Sequence, residues 1–169
     1  MVVLITVALD TIYIGFAIGT APIVGYNHGA QNHDELKGLL RRSLVILVAI
    51  AGGMVALAMV LAGPLSTIFV GYDAQLYEMT VRGFRIYSLS FLLCGFNIYG
   101  SSFFTALNNG LISAVISFVR SLVCQSAAVL LLPLIFDLDG IWWSILAAEL
   151  VAMVLTVYFL VKNRERYHY

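Results

Sequence analysis

The sequence predicts an all-α integral membrane protein with about five transmembrane helices. Hydrophobic residues make up 62% of the chain and charged residues 11%, whereas soluble domains hold about 45–50% apolar and about 25% charged residues. Mean hydropathy is +0.98. The apolar residues also fall into long runs, close to the ~20 residues that a helix needs to cross a hydrocarbon core of ~30 Å. A water-soluble chain of this length has nowhere to put so much apolar surface.

Five runs mark the spans, at residues 2–24, 44–69, 84–107, 111–135 and 141–161. Between them lie stretches with turn chemistry: Tyr26-Asn27-His28-Gly29-Ala30, Gly71-Tyr72-Asp73, Asn108-Asn109-Gly110 and Asp137-Leu138-Asp139-Gly140. No link is long or low in complexity, so residues 1–169 read as a single membrane domain. Membrane β-strands alternate in polarity over ~10 residues; runs such as Leu44-Val45-Ile46-Leu47-Val48 do not.

Charge sets the expected orientation. One side of the membrane collects Lys37, Arg41, Arg42, Lys162, Arg164 and Arg166, the other Arg82 and Arg85. Basic residues favour the cytoplasmic side, which puts the C-terminus inside and, after five crossings, the N-terminus outside. The expected location is the cell (inner or plasma) membrane, crossed several times. Net charge is zero, which gives no electrostatic case for nucleic acid as a partner. Met1 runs straight into Val2, Val3, Leu4 and Ile5 with no basic flank, and a signal peptide would carry one. The expectation is a chain that begins in the middle of a larger design.

Polar groups inside the spans are the candidate functional residues, because each ionisable group at mid-bilayer costs at least ~2.5–3.5 kcal/mol on insertion scales. Glu149 sits near the centre of the fifth run, Asp10 in the first and Arg120 in the fourth. At 100° per residue, Ser90, Cys94, Asn97, Ser101, Thr105 and Asn108 share one stripe of the third run. Ser113, Ser117, Arg120 and Cys124 share one in the fourth, with Ser121 at its edge and Gln125 off it. The tight Asn108-Asn109-Gly110 turn makes these two helices antiparallel neighbours, so the stripes face one shared interior. The plainer alternative for the hydroxyls and amides is interhelical hydrogen bonding. For Cys94 and Cys124 it is small apolar filler, since two cysteines inside apolar runs make neither a disulfide framework nor a metal spacing.

Helix breakers cluster at Gly15, Gly19 and Pro22 in the first run, and at Gly52-Gly53 and Gly63-Pro64 in the second. Gly15 and Gly19 form a Gly-x-x-x-Gly approach face, and Gly19, Pro22, Gly63 and Pro64 are candidate hinges or kinks of the kind transporters place near their sites. There is no phosphate-binding loop and no nucleophile–base pair, so the chain does not read as an ATP-driven machine or an enzyme. His28 and His33 stand five apart in a loop without a partner carboxylate, so no metal site is expected.

Four stretches, in order, resemble one family. Ile18-Gly19-Thr20-Ala21-Pro22-Ile23-Val24-Gly25-Tyr26-Asn27-His28-Gly29-Ala30 resembles the signature closing the eighth helix of MATE (multidrug and toxic compound extrusion) transporters. Gly63-Pro64-Leu65-Ser66-Thr67-Ile68-Phe69 is similar to the end of their ninth. Residues 82–107, from Arg82-Gly83-Phe84-Arg85 to Thr105-Ala106-Leu107, are similar to the tenth, and Gly140-Ile141-Trp142-Trp143 with Ala148-Glu149-Leu150 to the start of the twelfth. Within the family the likeness is to the bacterial MepA-like branch.

The resemblance implies most of one six-helix lobe, helices eight to twelve, of a twelve-helix antiporter that exports organic cations and drugs by alternating access, driven by H⁺ or Na⁺. It implies the other lobe as partner, beside the bilayer and the exported cations or drugs, and no cofactor. Coupling or cavity roles fall to Glu149, Asn97, Ser101, Cys94, Gln125, Arg120 and Asp10, although the tenth-helix stripe here has Cys94 and Asn97 where some branches carry Asp. Two alternatives stand beside this reading. One is an inactive five-helix product, or a subunit needing a partner chain; the other is a flippase for lipid-linked saccharides, which needs a basic cavity and finds only Arg120. Without the other lobe, Asp10 and Arg120 are expected to face lipid or an open groove.

Overall fold

The computed structural model describes residues 2–169, with the side chains of residues 2–9 and of Leu138 outside the description. The chain is helical throughout. α1 spans Val2–Gly29, α2 His33–Val70, α3 Ala74–Ser88 and α4 Phe91–Ala106. α5 (Gly110–Phe118) continues through a π-helical turn at Val119–Cys124 into α6 (Gln125–Leu131), and α7 covers Pro133–Tyr167.

Helix ends are written by local polar chemistry. Asn32 Oδ1 accepts from the Glu35 amide at the start of α2, Asp73 Oδ1 from Gln75 and Leu76 before α3, and Asn109 Oδ1 from Ile112 before α5. Each satisfies amides that a first helical turn leaves without partners. Gln31 and Asn108 reverse the chain at φ 56° and 58°, values that side chains other than Gly, Asn and Asp rarely take. The expected Asp137–Gly140 link is a single-residue break: Asp137 has φ 50° and ψ −134°, and the chain resumes helix at once.

Among the described residues, α2, the stretch Gly110–Asp137 and the stretch Asp139–Tyr167 are each long and apolar enough to cross a bilayer. α3 and α4 meet the same test together, bent by 41°. α1, with 28 residues, is about 42 Å long at 1.5 Å per residue, and residues 2–9 of the expected first span have no described side chains. The expected third span, 84–107, is thus the joint of two helices, broken at Leu89 and Ser90. Ser88 and Ser90 donate back to the carbonyls of Arg85 and Tyr87 there, a local bond that competes with the helical ladder.

α4 is the hub, packed on α1, α2, α5 and α7. It buries Phe91, Cys94, Asn97, Tyr99, Phe103 and Phe104. Its glycines set how closely neighbours approach: a Cβ on Gly95 would enter the Tyr13 ring, and one on Gly100 would meet the Thr156 methyl. α2 turns a stripe of mostly small residues inward, Ser43, Leu47, Ala51, Met54, Ala58, Ala62 and Ser66, the composition that lets membrane helices pack closely. Helices α1 and α2 run unbroken through Pro22 and Pro64. Nothing lies within 4 Å of a Cβ built on Gly15 or Gly19, so within this chain the expected Gly-x-x-x-Gly face is open.

Candidate functional site

The polar stripes of the third and fourth spans meet α1 and α7 in one continuous network. Glu149, on α7, is 9% exposed. Its Oε1 lies 2.8 Å from both Nε and Nη2 of Arg120, and its Oε2 is 3.1 Å from Nε. Both oxygens thus share the single Nε–H, and the second guanidinium nitrogen adds an ion-pair contact to Oε1. On the other side Asn97, fully buried, donates Nδ2 to Glu149 Oε2 at 2.7 Å and to the Glu149 carbonyl at 3.1 Å. The single Thr156 hydroxyl proton is shared between two acceptors, Asn97 Oδ1 at 3.0 Å and the Ala152 carbonyl at 2.9 Å.

Arg120 also extends towards α1. Its Nη2 is 3.0 Å from Cys94 Sγ, and that thiol lies 3.4 Å from Asp10 Oδ1. The guanidinium is therefore one sulfur atom away from a second carboxylate. Of the two residues expected to face lipid or an open groove, Arg120 lines a hollow beside the network, and this chain supplies counter-groups to both. α1 is held in place by the buried Tyr13 hydroxyl, which donates to the Phe91 carbonyl at 2.8 Å.

The π-helical turn at Val119–Cys124 marks where the polar stripe of the fourth span ends. Such turns carry i→i+5 bonds, and the extra residue rotates the helix beyond it; they recur at functional sites. Regular periodicity extends the polar stripe to Cys124, but in the structure Cys124 is half-buried and Gln125 exposed. The stripe ends at Arg120, and Gln125 stands apart from the network.

Below the charges sits a cluster of hydroxyls. Ser101 Oγ is 2.9 Å from Ser113 Oγ and 2.8 Å from Ser117 Oγ, and Thr105 donates to Ser113 Oγ at 2.7 Å. Ser101, Asn97, Thr105, Ser117 and Arg120 line one side of a hollow of about 280 Å³, with Ile14, Ala17 and Ile18 of α1 opposite. That volume falls just below the ~300–1,000 Å³ of ligand pockets, and six of its eleven lining residues are polar. Among the described residues no group of three or more His, Cys, Asp and Glu is placed to hold a metal ion.

Six of the seven expected site residues thus converge: Asp10, Cys94, Asn97, Arg120 and Glu149 in the charged network, Ser101 beside it. Sequence reasoning misses Thr156. It lies seven residues after Glu149, two turns along the same face of α7, and that spacing is the signal that could have found it. If the hollow is wetted, Ser101→Cys in a Cys124→Ala background will react with a membrane-impermeant thiol reagent, while the buried Cys94 stays protected. Complete protection of residue 101 would remove it from the cavity wall.

A family model for MatE matches residues 3–130. Two solved structures share the fold. One, described as the inward-facing conformation of a multidrug resistance MATE family transporter of the MOP superfamily, superposes with a TM-score of 0.90 at 19% identity, covering 98% of this chain and 39% of that one. The other, the MATE transporter VcmN of Vibrio cholerae in its bent form, gives 0.80 at 16% identity, covering 99% and 40%. The chain therefore spans about two fifths of the length of each. A search of curated proteins gives no match.

Proposed function

Because this chain belongs to the MatE family, we propose that it supplies one lobe's helices to a secondary-active exporter of small organic cations or drugs, driven by H⁺ or Na⁺. The observation that carries this reading is the buried Asp10–Cys94–Arg120–Glu149–Asn97 network beside a hollow walled by hydroxyls. Glu149 is the exchange site. Its carboxylate holds Arg120, and a proton, a sodium ion or a cationic substrate competes with the guanidinium for the same two oxygens. Arg120, once displaced, has Asp10 within reach across the Cys94 sulfur. Competition for one carboxylate makes substrate and coupling ion exclude each other, and that exclusion couples export of one to entry of the other.

The pairing of Arg120 with Glu149 favours cation export over the flippase alternative, since it cancels the charge of the one basic residue that lines the hollow. The test is ethidium efflux from cells expressing the gene product, with the proton and sodium gradients collapsed in turn. Glu149→Gln is expected to reduce efflux at least tenfold. Unchanged efflux removes Glu149 from coupling; no efflux by the unsubstituted protein favours the inactive five-helix alternative.

A further inference from the structure

A second feature lies on the opposite side of α4 from the charged network. α2 and α7 part to leave an apolar furrow floored by Phe96. It consists of two hollows, of about 420 and 280 Å³, that share Leu44 and Phe96. The outer hollow is rimmed by Lys37, Arg41 and Arg164, and no carboxylate side chain lines it. The inner one runs on past Val48 and Ala51 to Met153. From Arg41 to Ala51 is ten residues of α2, about 15 Å at the helical rise, or roughly half of a ~30 Å hydrocarbon core.

The three rim cations are exposed and make no ion pair among the described residues; the ion pairs found are Arg42–Glu35, Arg82–Asp139 and Arg120–Glu149. They stand at the end of the bundle where the sequence also places Arg42, Lys162 and Arg166. Tyr169 closes the rim, its phenol donating to the Leu160 carbonyl at 2.9 Å and pushed up by burial, so it remains a donor.

We propose that this furrow is a binding site for one anionic phospholipid, with its phosphate between Lys37, Arg41 and Arg164 and an acyl chain laid along Leu44, Phe96 and Ala51. Three features point to that occupant together. The furrow is one leaflet deep, it is apolar along its length, and it ends in cations that make no ion pair among the described residues; basic pockets between membrane helices are known to take such headgroups. A zwitterionic lipid would fill the same trough without answering the charge. The site needs membrane insertion alone and does not rest on the transport reading.

Phe96→Trp provides a reporter inside the furrow. The chain in neutral detergent is titrated with phosphatidylglycerol or phosphatidylcholine carrying brominated acyl chains, with the unsubstituted chain correcting for Trp142 and Trp143. Quenching is expected at lower concentrations of phosphatidylglycerol. Arg41→Gln with Arg164→Gln is expected to weaken it about 25-fold, at roughly fivefold per cation. The pair Arg42→Gln with Lys162→Gln, at the same end but outside the furrow, is expected to leave it unchanged. Equal quenching by both lipids would reduce the furrow to ordinary bilayer contact and overturn the proposal. So would equal losses in the two variant pairs, no quenching by either lipid (a protein segment then being the occupant), or displacement by soluble glycerol phosphate at the same concentration. The comparison of lipids on unaltered charges stands even if a variant fails to fold.

Discussion

Arg120→Leu is expected to destabilise the chain by about 3–5 kcal/mol, the cost of breaking a buried ion pair from one side. The side chains of Arg120 and Glu149 are 21% and 11% exposed, so water replaces the guanidinium at the carboxylate only in part. Glu149 would keep the Asn97 amide at 2.7 Å and lose both nitrogen contacts on its other edge. Asp10 would lose the cation next to its Cys94 partner as well. The informative companion is the double variant Arg120→Leu with Glu149→Leu. Replacing both partners of a buried pair by apolar groups is often neutral or stabilising, so most of the lost stability should return. Denaturant titration in mild detergent, followed by far-ultraviolet circular dichroism, reads both. A single variant as stable as the parent would mean that Glu149 sheds its charge at no cost. A double variant no better than the single would mean that Arg120 acts through packing and not through pairing.

How far the site is legible in the sequence depends on what the residues need. Helical spans and polar stripes come from composition and from the 100° repeat, and they place Cys94, Asn97, Ser101, Ser113 and Ser117 on facing surfaces. The rarity of buried charge singles out Asp10, Arg120 and Glu149. What periodicity cannot supply is any departure from itself. The π turn at Val119–Cys124 ends the stripe at Arg120 and leaves Gln125 outside, and no residue in Val119-Arg120-Ser121-Leu122-Val123-Cys124 announces it. The break between α3 and α4 is hidden likewise, since Ser88 and Ser90 are ordinary in a membrane helix until their hydroxyls turn back on the chain. Pairing across helices is also out of reach. Asn97 meets Glu149 52 residues away, and only the packing of α4 on α7 brings them together.

That pairing yields the second large effect. Asn97→Leu, close to the amide in size, is expected to cost about 1.5–3 kcal/mol, the worth of a hydrogen bond to a charged group. The loss falls on Glu149 Oε2, which keeps Arg120 Nε at a longer 3.1 Å. Thr156 is not stranded by the change, because its one proton then goes wholly to the Ala152 carbonyl. The reverse substitution differs. Thr156→Val keeps the methyl that packs on Gly100 but leaves Asn97 Oδ1 buried without its donor, a cost of about 1–3 kcal/mol. In the Asn97→Leu background that acceptor no longer exists, so Thr156→Val should then cost little. The two changes are expected to fall short of additivity by about 1–2 kcal/mol in a double-mutant cycle. Additive effects would mean that Thr156 and Asn97 are neighbours without being partners. Asn97 would then hold the Glu149 carboxylate at 2.7 Å without support from Thr156 behind it.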